Sequence, residues 1–109
     1  MKLNVKHQVT RKSDGIYGFC ELSNPDGGVL MTFEKTFDRG SNEIYAAYKS
    51  FQAVIPTARR LRAEYLDIES NNACFLNEIR GDRNVNSRLY EQTIDRLYTI
   101  EIVSVKLVG

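Results

Sequence analysis

The stretch Leu66–Gly81, L-D-I-E-S-N-N-A-C-F-L-N-E-I-R-G, constrains the fold of this chain more than any other. Leu66 and Ile68 alternate with Asp67 and Glu69, the period of a strand with one buried face. Either Asn71 or Asn72 can cap a following helix, because a short side-chain oxygen satisfies the free N–H groups of a first turn. Ala73, Leu76 and Ile79 then share one helical face, and Gly81 suits the left-handed position after the last turn. A strand that feeds a helix through a tight turn is where many α/β proteins put their chemistry.

The residues before this stretch read as a meander and a helix. Leu3, Val5, His7 and Val9 alternate with polar residues, so the first strand is half-buried. Arg11–Gly15 is a turn, with Asp14-Gly15 as its reversal signal. Ile16–Leu22 is apolar on both faces, which suits a central strand; Tyr17 and Phe19 share one face of it, in the core unless no helix covers that face. Asn24–Gly28 is a second turn. Val29, Met31, Phe33 and Phe37 mark a third strand, and three strands joined by short turns form an antiparallel meander. Ser41 is placed to cap a helix in which Ile44, Ala47, Tyr48, Phe51, Val54 and Ile55 recur at helical spacing. Pro56 kinks or ends it, because proline lacks an amide hydrogen and clashes with the preceding turn. Residues 57–62 can add one more turn.

Beyond Gly81 the pattern is a polar loop at Asp82–Asn86, a helix marked by Leu89, Tyr90, Ile94 and Leu97 with Ser87 as a possible cap, and a last strand alternating from Thr99 to Val108. The order is strand-strand-strand-helix-strand-helix-helix-strand. Helical crossovers join parallel strands, so the sheet should be mixed.

A chain of 109 residues makes one modest core. Its net charge of +1 supplies no global field for nucleic acid or membrane, so any such partner must be met by a local patch. No apolar run approaches membrane-spanning length and no apolar leader is present, which points to an intracellular protein without membrane contact. One His and two separated Cys do not make a zinc site. Cys20 and Cys74 both read as small buried hydrophobes. His7 shares the apolar face of the first strand and reads as a hydrogen-bonded core histidine.

Three segments resemble the ribonuclease H-like family, most of all its retroelement type. Leu66–Gly81 is similar to the family's L-x-V-x-x-D-S-Q-x-V-V-N-Q-I-x-G. G-F-C-E-L-S-N-P-D-G-G-V-L resembles its second and third strands, and Asn42–Ala47 looks like its helix pattern N-x-x-E-L-x-A-A. The resemblance implies an α/β (α+β) ribonuclease H-like fold with a mixed five-stranded sheet in the order βββαβααβ. It implies one domain over residues 1–109, without the family's C-terminal helix, since the sequence ends directly after its last strand.

In that family, acidic residues hold two divalent metal ions that cleave the RNA of a hybrid. Two metals about 4 Å apart need several converging carboxylates. The family's first-strand aspartate has no counterpart in N-V-K-H-Q-V-T. Its helix glutamate matches Glu43, and its aspartate after the fourth strand matches Asn71, or Glu69 with a two-residue slip. A neutral amide supplies no charge to a metal. The resemblance therefore implies a degenerate site with no catalytic residue, Glu43 and Glu69 being the candidates if the chain does cut. Mg2+ or Mn2+ belongs only to that nuclease reading; otherwise no cofactor or metal is expected.

Two other readings concern partners. Asn71 and Asn72, with Arg59, Arg60, Arg62, Arg80 and Arg83, are candidates for nucleic-acid contact, since Arg binds phosphate largely without regard to sequence. Interleaved acids such as Glu64, Glu78, Asp82 and Glu91 make a mixed-charge solvated surface the plainer alternative. A protein-interaction module, as adaptor or inhibitor, suits a near-neutral domain equally, with a homodimer through the outer sheet edge at the third strand as one form. Small size and an eroded motif are compatible with a viral or mobile-element accessory protein.

Overall fold

The computed structural model describes residues 1–81 and 87–109. The elements are β1 (Lys2–Lys12), β2 (Gly15–Ser23), β3 (Val29–Phe37), α1 (Glu43–Gln52), α2 (Ile55–Arg60), β4 (Tyr65–Ser70), α3 (Ala73–Ile79), α4 (Ser87–Leu97) and β5 (Glu101–Leu107). They form one five-stranded sheet in the order β3-β2-β1-β4-β5. β1 is antiparallel to β2 and parallel to β4, β2 is antiparallel to β3, and β4 is parallel to β5. The sheet is thus mixed, as the helical crossovers demand, and β3 is one of its two edges.

Alternation along the strands sends one set of side chains into the core. Leu3, Val5, His7, Val9, Ile16, Cys20, Leu22, Leu66 and Ile68 are all buried on the helix-covered face. Phe75 of α3 is fully buried at the centre of an aromatic group, its ring 4.6 Å from His7, 5.2 Å from Tyr48 and 5.6 Å from Phe51. Burying a side chain of this size stabilises by about 1.5–3 kcal/mol, so these contacts anchor α3 and α1 to the sheet.

The opposite face is polar. Lys6 stands between Glu21 and Glu69 in register, and Glu69 stands beside Lys106, which gives a row of alternating sign across four strands. Opposite charges on neighbouring strands suit a solvated sheet face. Tyr17 and Phe19 lie on this face and are only half-buried, not in the core as their strand's composition suggests.

Four further details differ from the sequence reading. The helix after the meander stops at Gln52, and Pro56 sits in the first turn of a separate short helix, where its missing N–H costs nothing. Asn42, not Ser41, caps α1, its Oδ1 accepting from the Tyr45 amide at 2.8 Å. Cys20 is buried but Cys74 is exposed. Pairing between β4 and β5 shifts after Leu66, leaving Val103 as an extra residue, so Ile102 and Val105 both face the helices. The loop expected at Asp82–Asn86 and the Ser87 cap lie outside the described residues and side chains.

Candidate functional site

The carboxyl ends of β1 and β4 meet the amino ends of α1 and α3, and there the family-matched positions come together. Glu43 opens α1, where the helix dipole favours an acid. Arg11, near the end of β1, donates from Nε to Glu43 Oε1 at 2.8 Å. Its Nη2 also reaches the Ser41 carbonyl at 3.4 Å. The one family-matched carboxylate in this corner is thus covered by a guanidinium. Both side chains are about half exposed, 49% and 50%, so the pair is worth at most about 1 kcal/mol to stability.

Asn71 follows β4 and turns its amide onto β1. Its Oδ1 accepts from the Val9 N–H at 2.8 Å, and its Nδ2 donates to the Val9 carbonyl at 3.0 Å. The side chain continues the β1–β4 ladder one step past the last strand residue. Asn72 is also engaged: it caps α3, accepting from the Phe75 amide at 2.9 Å.

Beneath them lies a buried histidine–serine pair. His7 Nε2 is 2.9 Å from the Ala47 carbonyl, which only accepts, so the proton sits on Nε2. Nδ1 is then the acceptor for the Ser70 hydroxyl at 2.7 Å. Ser70 Oγ accepts in turn from the Asn72 amide at 3.1 Å. Burial lowers the His7 pKa to about 4, because the charged imidazolium is expensive away from water. His7 is the satisfied core histidine expected from its strand face. With both ring nitrogens engaged and His7 and Ser70 buried, the pair is satisfied within the core.

The two-metal arrangement implied by the resemblance does not fit these residues. Among the described residues no three His, Cys, Asp or Glu side chains converge to hold a metal ion. Asn71 Oδ1 already accepts from Val9, and Arg11 brings positive charge to the corner. Glu69 cannot join Glu43, because it projects from the polar face of the sheet beside Lys6 and Lys106. Glu69 lines a cleft of about 470 Å³ there with Lys6, Glu21 and Asp67, a mixed-sign surface.

The arginines divide. Arg59, Arg60 and Arg62 lie just before β4 begins, next to the chain start, where the Glu64 and Tyr65 amides bond the Met1 carbonyl. Asn71 and Asn72 lie past the other end of the same strand, a β4 length away, or roughly 20 Å. Arg80 ends α3 and lines a recess against Ile102 and Val105 of β5. Arg83 lies outside the described residues. The sequence reading put Arg11 in a turn and did not foresee its bond to Glu43, although Arg11 continues the parity of Val9 and His7. It also missed Arg96 and Tyr98, which tertiary packing brings beside Arg59: the Arg59 guanidinium stands 5.5 Å from the Tyr98 ring, and Arg96 shares a recess with Arg59 and Arg60.

No family profile and no curated protein sequence matches the chain. Solved structures do. RNase H1 from the halophilic archaeon Halobacterium salinarum superposes with a TM-score of 0.79 at 14% identity, covering 100% of this chain and 86% of the other. This is the ribonuclease H fold. The N-terminal RNase H domain of Rv2228c from Mycobacterium tuberculosis gives 0.84 at 15% identity, covering 100% and 88%. LC11-RNase H1 in complex with an RNA/DNA hybrid gives 0.72 at 8% identity, covering 95% and 85%. Identities this low establish the ribonuclease H fold and leave the chemistry to the residues.

Proposed function

We propose that residues 1–109 act as one ribonuclease H-like domain that binds nucleic acid and does not cut it. The observation that carries this reading is the Arg11–Glu43 pair at 2.8 Å, beside an Asn71 that spends both amide atoms on Val9. The resemblance implies carboxylates and divalent metals in that corner, and this chain puts a guanidinium and a neutral amide there. Phosphoryl transfer by two metals needs converging negative charge. Without it, what remains is a scaffold able to hold a phosphate backbone. The structural neighbour described with an RNA/DNA hybrid supports nucleic acid as the class of partner. The arginines at the β4 start supply local positive charge on a chain whose net charge is only +1.

The test is fluorescence anisotropy with labelled single-stranded, duplex and RNA–DNA hybrid oligonucleotides at two salt concentrations. Binding that weakens steeply with salt is the expected result, since phosphate contacts release counterions. Absence of binding to all three probes would turn the search to a protein partner.

A further inference from the structure

Beyond α2 and α4 the backbone does something costly. Arg62 follows the α2 C-cap with φ +60, and Tyr98 follows α4 with φ +57. These are the non-glycine residues of positive φ among those described. At the corresponding place after α3 the chain uses Gly81, at φ +85. A left-handed backbone at a helix end favours glycine, because a Cβ crowds the following carbonyl. Two large side chains stand where the backbone prefers none.

Both side chains are solvent-facing, and Tyr98 is 76% exposed, the most exposed large hydrophobic in the described chain. The turns that carry them open onto the same end of the sheet. Tyr65 of β4 is in register with Glu101 of β5, and Arg62 and Tyr98 each precede these partners by three residues. Arg59 stacks its guanidinium over the Tyr98 ring at 5.5 Å. Next to them Arg59, Arg60 and Arg96 line a shallow recess with Ile55 and Pro56. No carboxylate lines it, and none of these arginines forms an ion pair among the described residues. Arg96 is held by its 2.6 Å bond to Gln52 Oε1.

We propose that this end of the molecule, Arg59, Arg60, Arg62, Arg96 and Tyr98, is a docking surface for single-stranded nucleic acid. It rests on the nucleic-acid reading above and places the contact at the opposite end of β4 from Glu43 and Asn71. The arginines meet successive phosphates, and the exposed ring of Tyr98 takes the face of an unpaired base. A base within a duplex has no free face to offer. An aromatic platform beside an unpaired cationic groove is the combination that single strands require.

Wild type, Tyr98→Gly, Tyr98→Phe and the Arg59→Ala/Arg60→Ala double variant would be titrated with labelled single-stranded DNA and with the same sequence as duplex, each at two salt concentrations. Thermal melts would run alongside. Tyr98→Gly should weaken single-strand binding on the order of tenfold while leaving the melting temperature no lower than wild type. Tyr98→Phe keeps the ring and should bind within about twofold of wild type. The double arginine variant should lower the slope of log affinity against log salt by about 0.7 for each phosphate it no longer neutralises. Wild-type binding that none of the variants changes overturns this surface and leaves the nucleic-acid reading standing. A wild type that binds no probe overturns both. Preference for duplex with no effect of Tyr98→Gly also overturns it.

Discussion

Asn71 does with its side chain what a strand residue does with its backbone. One amide group donates to and accepts from Val9, closing the β1–β4 ladder. Asn71→Asp keeps the shape and loses the donor, so a carboxylate oxygen faces the Val9 carbonyl. That change should destabilise by about 1–3 kcal/mol, read as a lower urea midpoint. It also shows why restoring the acid of the family motif at this one position would not restore its chemistry. His7 makes a second prediction. Its folded pKa of about 4 lies below the usual 6.5, so the unfolded chain binds the extra proton between those values. Stability should be fully present above about pH 6.5 and fall as pH drops towards 4, by roughly 3 kcal/mol from this residue alone. His7→Gln should flatten that part of the stability–pH curve, measured by urea titrations across the window. The role of His7 was legible from strand parity. The pair of hydrogen bonds between Asn71 and Val9 was not, because it depends on how far β1 runs past β4, which no local pattern states.

At the scale of elements, α1 lies against β2 so closely that a Cβ on Gly18 would run into Ser50 Oγ, a buried hydroxyl without a hydrogen-bond partner among the described residues. Gly18→Ala should cost about 1–3 kcal/mol. In a Ser50→Ala background the cost should shrink, since the nearest remaining atoms are Phe37 Cε2 at 3.0 Å and the residue-50 Cβ at 3.5 Å. A double-mutant cycle in denaturant should show a coupling of about 1 kcal/mol; strict additivity would mean that this contact is not what sets the helix height. The end of α2 offers the opposite sign. Arg62 closes it with the Ala63 amide bonded to the Ala58 carbonyl at 3.0 Å, a geometry made for glycine. Arg62→Gly should therefore raise stability by about 1 kcal/mol, a rise of a few degrees in a thermal melt. Element order and an asparagine opening α3 could be read from sequence because capping and periodicity are local. The bulge at Val103 could not, because register across β4 and β5 is set by the partner strand and slips the alternation by one. Nor could the exposure of Cys74, on a seven-residue helix whose few apolar positions leave its orientation to tertiary packing.

Over the whole molecule, the sheet separates what the sequence brings near. Glu43 and Glu69 sit on different faces, and the arginines of α2 lie a strand length from the asparagines of the β4–α3 turn. The polar face balances its own charges in a row from Glu21 to Lys106, and among the described residues no helix is long and apolar enough to cross a membrane. On the proposed reading, the corner of Arg11, Glu43 and Asn71, where the family-matched positions meet, does not cut. Glu43→Gln should cost less than about 1 kcal/mol in stability, since its partner is half exposed, so the variant makes a clean control. The decisive measurement is a gel of end-labelled RNA–DNA hybrid incubated with wild type and with Glu43→Gln in Mg2+ and in Mn2+. Intact RNA in every lane, with hybrid or single strand bound at low salt, is the predicted result. RNA cleaved by wild type and spared by Glu43→Gln would contradict it.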